Sequence, residues 1–312
     1  MHREATSAQL VARIVPFTLL ALLAVAACGA ASAPSSPVTI HEADGSTVTL
    51  SKQPHRIVSL SATATEMLFA IGAGKQVIAV DDQSNYPASA PMTKLSGFQP
   101  NVEAIAGYRP DLVVAAEDNG GLVKGLSAVG VPTLIEAAAS SLDQSYKQIR
   151  ELGLATGHSA EADSVAGRMS SDIASAVASA GKPARRLSVY HELDDTYYSA
   201  SSRSFIGQVY TMLGLKDIAD GAPGPASDYP QLTSEYIVSS NPDLIVLADT
   251  KCCHQGLSTV RARPGWAGIA AVRSGEVVEA DDDVASRWGP RVVDFIREVA
   301  PRVAQLGHTQ GT

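Results

Sequence analysis

The chain has 312 residues, 45% apolar and 18% charged, a mix that builds a packed globular body and excludes a disordered chain. Lys and Arg total 24 against 32 Asp and Glu, a net charge of −8, so no basic footprint exists for displacing phosphate counterions and nucleic-acid binding is excluded. Three cysteines are too few for a disulfide-scaffold fold.

The first element is a leader. Arg3 and Arg13 precede an apolar run over residues 14–27, broken only by Pro16 and Thr18. A helix of that length reaches about 21 Å, short of a hydrocarbon core of roughly 30 Å, so residues 1–27 read as a signal peptide and not as a spanning helix. The run ends Val25-Ala26-Ala27-Cys28, which resembles a bacterial lipobox in which Cys28 is diacylated and becomes the mature N-terminus. Two acyl chains hold a protein at a membrane where one does not. Residues 28–37, rich in Ala, Ser and Pro, then form a flexible linker. The mature chain carries 22 basic and 31 acidic residues, a net of −9. Its expected place is the extracytoplasmic face of the bacterial cell membrane, where any energy-coupled task needs a membrane partner.

Next come Val38-Thr-Ile-His-Glu and Val48-Thr-Leu, alternating around Asp44-Gly45 in the pattern of a small hairpin. An α/β rhythm follows. Strands are predicted at residues 56–60, 76–80, 112–116 and 131–135, with a helix opening at Thr63-x-x-Glu66, a capping-box pattern, and stopping at Gly72 and Gly74. The second half repeats the plan: a strand at 187–190, a Ser-rich loop, a helix ending near Leu213-Gly214, and a strand at 244–247. Residues 102–116 align with 234–248 at an offset of 132, with seven of fifteen positions identical. That offset is too long for a solenoid and indicates two similar domains. Between them, residues 160–180 place Val165, Met169, Ile173 and Val177 at spacings of four, the stripe of a single long helix, weakened modestly by Gly167. The expected fold is α/β: two similar Rossmann-like lobes with parallel sheets, over residues 38–158 and 184–308. One connecting helix at 159–183 joins them as a stiff strut, with a ligand cleft between.

Taken together, the lipobox, the hairpin, the segment Pro54-His-Arg-Ile-Val-Ser-Leu-Ser-Ala-Thr-Ala-Thr-Glu66, Ser84-Asn-Tyr-Pro87, Asn101-Val-Glu103 and Pro110-Asp-Leu112 resemble one family, over about residues 38–306. It is the helical-backbone class of solute-binding lipoproteins of ABC importers, which deliver ferric siderophores, haem or cobalamin. The resemblance implies a non-catalytic monomer with no intrinsic cofactor. Its partners would be a permease dimer with a cytoplasmic ATPase, and its ligand an iron chelate or another metal-containing macrocycle. A ferric siderophore ranks first, with cobalamin and haem as alternatives. The matched carboxylates Glu103 and Glu235, one per lobe, would dock with permease arginines; the alternative is ordinary glutamate at a helix N-terminus, favoured by the macrodipole.

Open α/β sheets bind ligands beyond the carboxyl ends of their strands. There the sequence offers Tyr86 and Phe98 in the first lobe, and Tyr197, Tyr198, Arg203, Tyr229, Asp283, Arg287 and Trp288 in the second. Phe98 and Tyr229 stand where the cobalamin-binding member of the family has tryptophans, and Asp283 and Arg287 match an Asp and an Arg. Haem members usually have a Tyr ligand where Phe98 stands, and Phe cannot ligate iron. Siderophore members offer arginines, for which Arg203 and Arg287 qualify. Three chemistries fit Lys251-Cys252-Cys253-His254: a vicinal disulfide of Cys252 with Cys253, a metal site, or free thiols. His191-Glu192 with Asp194-Asp195 reads as a solvated acidic loop in preference to a metal site, and no metal ligand is assigned. Against an extracytoplasmic metalloenzyme or hydrolase, the sequence has no H-E-x-x-H, G-x-S-x-G or Walker pattern, and a free-metal-ion binder would need a His/carboxylate cluster across the lobes that the sequence does not show.

Overall fold

The computed structural model describes residues 37–42 and 45–308. The expected signal peptide, Cys28 and the expected linker up to residue 36 lie outside these residues. The first lobe opens with an antiparallel hairpin of β1 (Val38–His41) and β2 (Thr47–Leu50), with Val38 opposite Leu50. Then follow β3 (Ile57–Leu60), α1 (Ala62–Ala70), β4 (Val77–Asp81), β5 (Met92–Leu95), α2 (Val102–Gly107), β6 (Leu112–Ala115), α3 (Leu122–Ser127), β7 (Thr133–Ile135) and α4 (Leu142–Thr156). Its parallel sheet has the order β5-β4-β3-β6-β7. After α5 (Ser159–Ala180), the second lobe runs β8 (Ser188–Glu192), α6 (Phe205–Met212), β9 (Lys216–Asp217), α7 (Ser234–Ser240), β10 (Leu244–Leu247), α8 (Leu257–Ala262), α9 (Ala270–Ser274), β11 (Val277–Glu279), α10 (Asp282–Ser286) and α11 (Val292–His308). Its sheet is also parallel, in the order β11-β10-β8-β9. Reversed, β9-β8-β10-β11 superimposes in order on β4-β3-β6-β7. The duplication written in the sequence is thus a duplication of topology, with β5 as the first lobe's extra strand.

The repeated motif has a local physical cause. Asn101 and Thr233, 132 residues apart, cap α2 and α7 by accepting from the backbone N–H groups of Ala104 and Tyr236. Ile105 and Ile237 are the fully buried residues of these short helices. Arg109 and Asn241 then take left-handed backbone (φ 51° and 45°) ahead of the shared Pro-Asp. Asp111 accepts from the backbone N–H groups of His55 and Arg56 at 2.8–3.1 Å, and Asp243 accepts from that of Ser188 at 2.8 Å. Each aspartate therefore ties the start of its own strand, β6 or β10, to the start of the neighbouring central strand, β3 or β8.

The linking helix α5 is 22 residues long, about 33 Å. Ala162, Val165, Ala166, Met169, Ile173, Ala176 and Ala180 form its buried stripe; Val177 is only half-buried. It packs between α4 of the first lobe and α11 of the second. Contact is close: a Cβ on Gly153 of α4 would fall 2.3 Å from that of Ala162. One apolar core runs continuously from the first sheet through α4, α5 and α11 to the second sheet, and each lobe has a smaller core on its other face.

The expected capping box at Thr63 and Glu66 is not formed. Ser61 is the N-cap, accepting from Ala64 N–H. Glu66 instead turns inward, its side chain 2% exposed, and receives two arginines of the other lobe: Arg287 at 2.7 Å, and Arg291 through Nε at 2.9 Å and Nη2 at 2.5 Å. Asp283, 2.6 Å from Arg287, supplies the second carboxylate, so the cluster is balanced at two charges of each sign. Breaking a buried ion pair from one side leaves uncompensated charge and costs about 3–5 kcal/mol, far more than an exposed pair is worth. Glu66→Ala should therefore lower the unfolding free energy by about that amount. A urea-denaturation loss below about 1 kcal/mol, typical of exposed pairs, would contradict the clamp.

Candidate functional site

The carboxyl ends of the two sheets face each other across the clamp. The loop after β4 supplies Asn85, whose Nδ2 donates to Asp283 at 2.9 Å, and the Gln83 carbonyl, which accepts from Arg287 at 2.9 Å. Beside it, the loop after β5 crosses the ends of β3 and β4. A Cβ on Gly97 would lie 2.5 Å from the Leu60 carbonyl and 3.0 Å from Asp81, so only glycine lets the chain pass and carry Phe98 over these strand ends. Asp81 is buried under this loop, and desolvation raises its pKa.

In the second lobe, the Ser-rich loop after β8 pairs with residues 228–232. Ser199 and Ser201 donate to the carbonyls of Pro230 and Asp228, and Leu232 donates to that of Tyr197. Tyr198 is bridged to Gln231 in the antiparallel sense. That register puts Tyr198 and Tyr229 on one face of the ladder as diagonal neighbours.

The sequence-predicted residues separate into two groups. Phe98 (74% exposed), Tyr86 (46%), Tyr229 (45%) and Tyr198 (42%) are open to solvent. Singly exposed apolar side chains are ordinary; what sets these four apart is that all lie on strand-end loops, two in each lobe. Arg291 sits 4.2 Å over the Tyr86 ring, holding it at the lobe junction.

The remaining residues are committed to the protein itself. Arg287 and Asp283 belong to the clamp. Trp288 is half-buried and donates from Nε1 to Gln148 of α4 at 2.8 Å. Tyr197 is half-buried and stacks on Trp266 at 5.8 Å. Arg203 pairs with Asp228 at 3.1 Å. Lys251 lies 2.6 Å from Asp281 and 3.3 Å from Asp283. Thus Arg203, Lys251, Arg287 and Arg291, the lysines and arginines of these loops, all face carboxylates.

Sequence reasoning missed Glu66, Asn85 and Arg291. Glu66 carried a signal, a carboxylate set beside the buried Met67 and Leu68, but the capping pattern absorbed it. The expected acidic loop at His191-Glu192 is also corrected: both residues are fully buried in β8, and only Asp194 and Asp195 lie in the loop. His191 accepts or donates through Nδ1 to the Tyr210 hydroxyl at 2.6 Å, and burial lowers its pKa to about 3, so the ring is neutral. Among the described residues, no group of three or more His, Cys, Asp and Glu is placed to hold a metal ion.

Glu192 forms a two-pronged pair with Arg263 at 2.6 Å, and Arg263 lies over the Trp266 ring at 4.5 Å. Asp249, fully buried at the end of β10, adjoins Glu192; desolvation and then the Glu192 charge raise its pKa to about 8. Near neutrality it is held protonated beside the Glu192 carboxylate, and neither of its oxygens has a hydrogen-bond partner among the described residues. Cys252 and Cys253 form a vicinal disulfide on the loop that follows. Glu103 and Glu235 are exposed in the first turns of α2 and α7, and neither makes an ion pair among the described residues.

A cavity of about 1030 Å³ lies between the β2 strand and the β6–β7 side of the first lobe, lined by Thr47, Thr49, Lys52, Asp111, Glu117 and Thr133 among others. It contains none of the aromatic loop residues.

The profile of a family described as periplasmic binding protein matches residues 57–284. An ABC transporter substrate-binding lipoprotein of Bacillus subtilis, YvrC, is 31% identical over 276 residues, covering 86% of this chain and 85% of that protein. A cobalamin-binding protein of Halobacterium salinarum is 30% identical over 275 residues, covering 85% of this chain and 74% of its own. Two solved structures share the fold: the periplasmic haem-binding protein RhuT of Roseiflexus in apo form (TM-score 0.72, 24% identity, 81% of this chain and 99% of that one) and the periplasmic vitamin B12-binding protein BtuF of Vibrio cholerae (TM-score 0.69, 21%, 82% and 99%).

The raised Asp249 makes stability depend on pH in a fixed direction. A carboxyl whose folded pKa is about 8 against 3.8 unfolded contributes stability that is lost as pH rises through 8. Asp217, buried and raised to about 8 by desolvation, acts with the same sign. The urea midpoint should fall between about pH 6.5 and 8 and level off above 8, where both states have lost these protons. Asp249→Asn and Asp217→Asn should each flatten part of that slope, with buried Glu136, also raised by desolvation, acting in the same direction; an unchanged slope in both variants would refute the assignment.

Proposed function

This chain belongs to the periplasmic binding protein family, and we propose that within it the protein is the membrane-anchored capture component of an ABC importer. It holds a corrinoid-type metal macrocycle between its lobes and passes it to a permease unchanged. The observation that carries this reading is four exposed aromatic rings around loops whose lysines and arginines are already paired. A polyanionic chelate needs unpaired cations, because desolvating its charges without compensation is expensive. A corrinoid presents a broad apolar ring edged with neutral amides, which suits aromatic walls and a polar rim. The family resemblance ranks a ferric siderophore first; the arginines that could serve it, Arg203 and Arg287, are paired with Asp228, Glu66 and Asp283, and that moves the preference. The names of the relatives in Halobacterium salinarum and Vibrio cholerae point the same way.

Delivery rests on Glu103 and Glu235. Two carboxylates at equivalent places on lobes joined by one stiff helix have a fixed spacing, and fixed exposed charges set orientation and on-rate more than affinity. Anchoring rests on Cys28, which also confines the chain to the permease's membrane face.

Titration with cyanocobalamin, haem and a ferric siderophore, followed by intrinsic fluorescence, tests the ligand. Cyanocobalamin should bind tightest, and Phe98→Ala with Tyr229→Ala should weaken it by at least about 30-fold, or roughly 2 kcal/mol, the scale of losing buried aromatic contact. Tighter binding of haem or the siderophore would overturn the ligand assignment while leaving the importer role standing. For docking, Glu103→Arg with Glu235→Arg should abolish uptake in cells at unchanged affinity; uptake at the normal rate would refute it.

A further inference from the structure

The motif Lys251-Cys252-Cys253-His254 takes no part in the proposed ligand contacts, yet its loop is bound into the machinery that joins the lobes. Asp282 receives the backbone N–H of Lys251 at 3.0 and 3.1 Å and that of Cys252 at 2.9 Å. The Thr250 hydroxyl lies 2.9 Å from the same carboxylate and 2.8 Å from the Ala280 carbonyl. Lys251 Nζ reaches Asp281 and Asp283. Asp283 in turn accepts from Asn85 of the first lobe and pairs with Arg287, which pairs with Glu66. A short chain of polar contacts therefore runs from the disulfide to the first lobe.

A disulfide between adjacent residues closes a small ring around their peptide unit. It fixes the backbone between the two residues and so restrains the segment just ahead of it, whose Lys251 and Cys252 N–H groups both meet Asp282. Opening the ring restores that freedom, and the loop is then held by hydrogen bonds only, those to Asp282 and that of the Cys253 N–H to the Asp249 carbonyl. Cys252 is exposed and Cys253 half-buried, so an incoming thiolate has access, and exposed disulfides are the labile class.

We propose that Cys252–Cys253 is a redox modification site whose reduction by an extracytoplasmic dithiol loosens the junction between the lobes. In the first step the attacking thiolate bonds to Cys252 Sγ, the Cys252–Cys253 bond breaks, and Cys253 leaves as a thiolate that takes a proton. In the second, the other thiol of the reductant attacks its own sulfur in the mixed disulfide and releases Cys252. Two electrons and two protons pass to the protein, and the reductant becomes a disulfide. Asp282 is the positioning residue that transmits the change.

The test is hydrogen exchange by mass spectrometry on the full lipoprotein in detergent, with and without dithiothreitol, alongside alkylation to read thiols at Cys252 and Cys253. Under native conditions dithiothreitol should expose both thiols. Exchange should rise about tenfold, within the range usual for coupled sites, in the peptides covering 249–256, 281–288 and 82–86. Cys252→Ser with Cys253→Ser should exchange at the fast rate in either condition, and Asp282→Ala should do so with its disulfide intact. Blocked thiols, or faster exchange confined to 249–256, would overturn the proposal, and the reductant arm on the unmodified protein decides it even if the double variant fails to fold.

Discussion

A single buried carboxylate holds the two lobes in their relation. Glu66 sits in the first helix of the first lobe and receives Arg287 and Arg291 from the segment that closes the second. Without a partner it would be an uncompensated charge in a desolvated place; with two arginines and the nearby Asp283 the group is neutral. Its location matters as much as its strength. It lies under the loops that carry Tyr86 and Asn85 on one side and Asp283 on the other, so the same contact that joins the lobes also orients the facing strand ends.

The linking helix works with this clamp. Helix α5 buries one stripe between α4 and α11, so the lobes share a packed core along their backs as well as a charge cluster between them. Close-packed cores deform little, and a buried ion cluster is broken only at considerable cost. The result is a receptor with its loops largely preorganised, which lowers the ordering cost of capture.

The division between committed and open side chains shapes the chemistry at the strand ends. Every lysine and arginine there is paired, and four aromatic side chains remain exposed. Beneath the second lobe's aromatic loop, Glu192, Asp249 and Arg263 form a second near-neutral polar cluster that supports Tyr197 and Trp266. Charge in these two clusters is thus compensated, and the surface left for a partner is aromatic and polar, with little net positive charge.

The sequence by itself determined the α/β architecture, the duplication and most central strands. These depend on local patterns: β-branched runs buried on both faces, and a repeat whose Asn101/Thr233, Ile105/Ile237 and Asp111/Asp243 do the same local work in each lobe. It left out β5, β9 and β11, all edge strands, because a short strand with an exposed position lacks a continuous apolar signature. The exposed aromatics were legible as residues near strand ends. What Glu66, Arg287, Asp283 and Trp288 do was decided only by tertiary structure, since each meets a partner from the other lobe more than a hundred residues away. A charge's partner across such a separation leaves no mark on its own neighbourhood in the chain, so spacing rules offer a local role, such as a capping box, where the folded protein has made a clamp.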